Sequence, residues 1–124
     1  MSNLVIQTND STHSNIHILA GIIRKTSQGW ELLNNATHRP VGLNPTITEP
    51  SNNTIEVKFD RKYSQVLTCS ITADEAYAEK GFMFGASVGL DKLVIKHSKA
   101  GAPTKNSDLA IPNSNIWISV MMIE

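Results

Sequence analysis

A chain of 124 residues has the common size of one domain and can bury roughly two thirds of the surface its unfolded form exposes. Its 40% hydrophobic and 18% charged residues, with eleven acids against eleven bases, exclude a disordered or strongly charged chain. That balance also argues against a general nucleic-acid binder, which needs a basic surface.

Short β-rich runs separated by Asn, Gly, Pro, Ser and Asp predict an all-β, single antiparallel sandwich of about eight strands over residues 1–124. Residues 4–8 open the series, and Asn9-Asp10-Ser11-Thr12 ends that strand with residues that hydrogen-bond locally. Residues 16–25 alternate imperfectly through Ile16, Ile18, Ala20 and Ile22, and Ser27-Gln28-Gly29 turns them into residues 30–33, a hairpin. Val41-Gly42-Leu43 and Thr46-Ile47-Thr48 are broken up by Pro40, Pro45 and Pro50, which cannot donate to a ladder; an edge strand and a crossover are expected there.

In the second half, Ile55, Val57 and Phe59 alternate with Glu56 and Lys58, the pattern of a strand dry on one face. Residues 66–72, 82–88 and 93–97 complete a set of four strands expected to be consecutive neighbours. Between them, residues 72–81 predict one short helical turn near 73–80, with Thr72 as cap, acids early and Gly81 as stop. Residues 98–115 lack periodicity and form the longest predicted loop, the first place to look for loop-borne binding. Residues 116–123 are apolar on both faces, which fits a central strand or one covered by another subunit.

Cys69 is the only cysteine and lies in an apolar run, where it reads as a small buried hydrophobe in a reducing compartment. Neither a secretory leader nor an apolar run of ~20 residues is recognisable, so neither export nor membrane insertion is expected. His13 and His17 have ligand-like spacing, but on a turn and strand it gives no shared metal geometry. His38 and His97 read as structural or exposed imidazoles. Asp74, Glu75 and Glu79 read as a solvated helical turn with acids at its positive end. Gly85-Ala86-Ser87-Val88-Gly89 matches G-x-S-x-G literally, yet β character resumes after it, and a nucleophile elbow needs a helix there. Its glycines are expected to serve close packing, a bulge or a turn. No catalytic residue, cofactor or metal is therefore predicted.

Residues 54–94 and the closing stretch 115–124, with 30–43 as a weaker extension, carry a resemblance whose most distinctive words are Asp74-Glu75, Gly81, the run 85–91 and Asn115-Ile116-Trp117. They resemble small β-sandwich domains associated with tails and baseplates of tailed phages infecting Gram-positive bacteria, including domains of receptor-binding proteins. The resemblance implies a non-enzymatic phage or prophage virion component, assembled in the host cytoplasm and serving distal-tail assembly or host attachment.

Two modes of action follow. An assembly and adhesion module contacts other virion proteins, or another copy of itself in a homo-oligomer, through strand faces or the terminal strand, with Ile116, Ile118 and Val120 as interface candidates. A carbohydrate-binding module stacks exposed Trp30, Tyr63 or Tyr77 on cell-wall sugars, against the plainer reading of Trp30 and Trp117 as core.

Overall fold

A computed structural model describes residues 4–7, 15–100 and 102–124, with side chains from residue 15 onward. Asn9-Asp10-Ser11-Thr12 and His13 lie outside the described residues.

The chain forms β1 (Leu4–Gln7), β2 (Asn15–Thr26), β3 (Gly29–Leu32), β4 (Leu43–Ser51), β5 (Thr54–Phe59) and β6 (Gln65–Ala73). A short helix α1 (Glu75–Glu79) follows, then β7 (Phe82–Val88), β8 (Lys92–Lys99), β9 (Ala102–Pro103), a 3-10 turn (Asn106–Leu109) and β10 (Ile116–Ile123). These strands make two antiparallel five-stranded sheets. The front sheet runs β1-β2-β10-β6 with β3 also on β2; the back sheet runs β4-β5-β8-β7 with β9 on β8.

The hairpin is as expected: Thr26 pairs with Gly29 across Ser27 and Gln28, and Gly29 takes φ 123°, a conformation open to glycine. β4 is an edge strand, and Pro45 and Pro50 lie where its pairing with β5 is irregular. Between β3 and β4 the chain crosses from front sheet to back, touching the front once more where Val41 bridges Ala20.

Two expectations are corrected. The four strands of the second half are not consecutive neighbours: β5, β8 and β7 share the back sheet, whereas β6 crosses to the front beside β10. Its inward residues Cys69, Ile71 and Ala73 thereby pack on the core formed against the opposite sheet. Helix α1 is capped by Asp74, because Thr72 is still strand and pairs with Trp117; Gly81, φ 82°, does end that segment.

β10 is central in its sheet, between β2 and β6, as its apolar character implies. Ile116, Ile118, Val120 and Met122 point inward beside Ile23, Gly21, Leu19 and His17 of β2. They meet Ile55, Val57, Phe59, Leu93 and Ile95 of the back sheet in one apolar cluster. The apolar set Ile16, Ile18, Ala20 and Ile22 thus lies on the outer face of β2, opposite to the core-facing parity.

The described part of residues 98–115 is not a free loop. Leu109 is fully buried, and Asn106 and Ser114 are nearly so. Asn106 donates through Nδ2 to the carbonyls of Ser51 and Thr54, and its Oδ1 lies 2.6 Å from His97 Nε2. With both amide donors spent on carbonyls, Oδ1 accepts, so His97 donates from Nε2 while its Nδ1 faces the Thr104 hydroxyl. The Tyr77 hydroxyl donates to the Leu109 carbonyl at 2.7 Å. This strap closes one end of the sandwich because its buried polar groups find partners there.

Candidate functional site

The outer face of the front sheet is a grid of side chains from three strands. Ile22, Trp117 and Thr72 form one row, Ala20, Ser119 and Ser70 the next, and Ile18, Met121 and Thr68 a third. Alternation along β10 explains it: if Ile116, Ile118 and Val120 go inward, Trp117, Ser119 and Met121 must go outward.

Trp117 is 41% exposed. Its indole N–H donates to Asp74 Oδ1 at 2.8 Å, while Asp74 Oδ2 accepts the Asn115 backbone N–H at 2.8 Å. Asn115 is held in turn by Arg24, whose Nε donates to its Oδ1 at 2.8 Å. The indole is thus fixed by a chain of polar contacts from the sheet's end.

Over the same face lies the loop that links β3 to β4. Asn35 Oδ1 accepts from the backbone N–H groups of Thr37 and His38 and from the Thr37 hydroxyl, a local turn that presents His38. The His38 ring stands edge-on to Trp117, centroids 6.2 Å apart. Together these residues line a shallow cleft of about 370 Å³. Its floor is Trp117 with the hydroxyls of Ser70, Thr72 and Ser119, and its wall is Thr37, His38 and Arg39. Arg39 is exposed and makes no ion pair with any described residue. An aromatic face beside hydroxyls and a cation suits a polar, hydroxylated ligand.

The residues expected to form sites fall elsewhere. Ile116, Ile118 and Val120, the interface candidates, are 0–3% exposed and belong to the core, so they offer no surface to a partner. Of the stacking candidates, Tyr77 is buried edge-on against Phe82 and Phe84, and burial pushes its phenol up to about 12. Tyr63 is also buried, donating to Asp60 Oδ1 at 2.8 Å beneath the Arg61 guanidinium; burial is the largest cause raising its phenol. Neither ring can stack on a sugar without leaving the core. Trp30 is half-buried, its indole donating to Glu49 Oε2 at 2.7 Å and its face covered by Lys25. Among the described residues the exposed large aromatic is Trp117, contrary to its expected place in the core.

The remaining polar candidates have structural engagements. His17 is buried against Tyr63, with Nε2 3.2 Å from Glu124 Oε2. Ser87 lies within β7 opposite Val94, not on a strand-to-helix elbow. Gly85 has open space where a Cβ would be, so close packing does not require it; Gly89 lies in the turn into β8, its N–H bonded to the Lys92 carbonyl. Cys69 is half-buried, and burial raises its thiol.

No protein-family model, curated protein or solved structure matches this chain.

Proposed function

We propose that this chain is a non-enzymatic component of the distal tail or baseplate of a tailed phage or prophage, serving assembly or host-surface attachment, with the outer face of its front sheet as contact surface. The virion reading rests on the resemblance of residues 54–94 and 115–124. The contact surface rests on one observation, the exposed and rigidly held Trp117 in the floor of a cleft. Large aromatics fixed in place on a sheet contribute binding area at little entropic cost. A binding role also suits a chain whose Asp74, His97 and His17 side chains are engaged in holding structure.

A second reading, a carbohydrate-binding module for cell-wall polymer, is favoured by the hydroxyls of Ser70, Thr72 and Ser119 beside the indole. The two readings are compatible, since attachment to a host wall proceeds through its sugars. Co-sedimentation with purified Gram-positive cell walls tests them. The unaltered chain is expected to pellet and Trp117→Ala to lose at least tenfold in affinity. A chain that ignores walls removes the attachment reading; one that binds equally well as Trp117→Ala removes this face.

A further inference from the structure

Both sheets end on the same flank of the sandwich, the front one with β6 and the back one with β7. Neither nine-residue β6 nor seven-residue β7 contains a charge or a proline. On the opposite flank the edges are blunted. There β1 and β3 are four residues each, and β4 carries Pro45, Glu49 and Pro50. Charges, prolines and short strands are how natural sheets prevent edge pairing. The β6 and β7 edges lack these devices.

The free edge of β6 has specific donors and acceptors to offer. Asp74 N–H bonds the Asn115 carbonyl, so hydrogen-bonded pairs with β10 recur at Thr72, Ser70 and Thr68. The backbone groups of Cys69, Ile71 and Ala73 therefore point outward, and no described residue pairs with them. A register shift opposite Met121 and Met122 ends the regular edge at Thr68. Between the two edges lies an apolar seam in which Cys69, Ile71, Phe84 and Val88 are only partly buried. Val66 (37%), Leu67 (46%) and Met83 (54%) are exposed around it.

We infer that this flank is a self-association surface, on which a second copy of the chain pairs antiparallel with β6 while its β7 packs against β7. The occupant is a second copy because, among the described residues, there are two open edges, one layer spacing (~10 Å) apart. A single foreign strand satisfies one of them; another sandwich satisfies both. A two-fold axis normal to the front sheet brings β6 beside β6 and, in the layer behind, β7 beside β7. Within Thr68 to Ala73 only Thr, Cys, Ser, Ile and Ala can oppose one another, so no register sets a charge against its own copy.

The patch is about 20 Å along β6 and about 24 Å along β7, and about 20 Å across both layers, hence roughly 400–500 Å² per copy and about 800–1,000 Å² in all. That lies at the threshold for a specific interface, so the dimer is weak and forms with rising concentration.

Light scattering on the full chain, from ten micromolar to one millimolar, is the test. The mass is expected to rise toward twice that of one chain. The double variant Thr68→Lys/Ala86→Lys, altered at two exposed edge positions, is expected to stay monomeric with an unchanged melting temperature. Amide hydrogen exchange of Cys69, Ile71 and Ala73 is expected to slow several-fold as the dimer forms, while Ser70 and Thr72, already bonded to β10, change less. A wild-type chain monomeric throughout overturns the inference. So does a dimer that survives the double variant or leaves those three amides unprotected; that outcome puts self-association on another surface.

Discussion

Replacing Asn106 by alanine removes the side chain that ties the 3-10 turn to the β4–β5 turn and to His97. Asn106 is 5% exposed, and its amide makes three side-chain hydrogen bonds, to Ser51 O, Thr54 O and His97 Nε2. Each buried partner left without its bond costs roughly 1–3 kcal/mol, and partial relaxation of the strap reduces the sum to about 3–5 kcal/mol. For a domain of this size that lowers the melting temperature by roughly 10–20 °C. The backbone bond from Asn106 N–H to the Asn52 carbonyl persists, so the chain still folds. Urea denaturation followed by tryptophan emission gives the loss directly, with Ser107→Ala, an exposed neighbour, as control within about 0.5 kcal/mol. A loss below 1 kcal/mol for Asn106→Ala would refute the claim that residues 98–115 are strapped down.

Three further outcomes are expected. Asp74→Ala frees both the indole of Trp117 and the Asn115 amide; about 1–2 kcal/mol of stability is lost, and Trp117 emission shifts toward that of a mobile indole in solvent. Tyr77 titrates near 12, above its unfolded value of about 10, so its contribution to stability is complete below pH 10 and is lost as pH rises from 10 through 12. Absorbance at 295 nm should show its phenolate appearing late, and an ordinary midpoint would place the ring outside the core. Cys69, its thiol raised by burial, reacts with a disulfide reagent at pH 8 more slowly in the native chain than in urea; equal rates would contradict its packing against the core from β6.

What the sequence discloses here is local. The β2–β3 hairpin follows from one turn, the one-sided alternation of β5 from its own six residues, and the central place of β10 from an apolar character that an exposed strand could not carry. Sheet membership is different. β6 follows β5 in sequence but joins the other sheet, a choice made by pairing with β10 more than forty positions away. Parity is the second hidden variable. In β2 and β10 both faces are apolar, so hydrophobicity alone fits Trp117 inward with Ile116, Ile118 and Val120 at the surface as well as it fits the reverse, which is the parity the strand adopts. One signal was available. The outward set Trp117, Ser119, Met121 includes a serine, and the inward set has none. The polar role of residues 98–115 was hidden because Asn106 finds its partners near Ser51 and His97, far away in the chain.

The most direct test of the proposed contact surface uses tryptophan as its own reporter. In the Trp30→Phe chain all indole emission comes from Trp117, and in Trp117→Phe all of it comes from Trp30. Each is titrated with soluble cell-wall polysaccharide. A saturable change is expected for the chain that keeps Trp117 and none for the chain that keeps Trp30. A change only at Trp30, or at neither, would contradict a binding surface on the outer face of the front sheet.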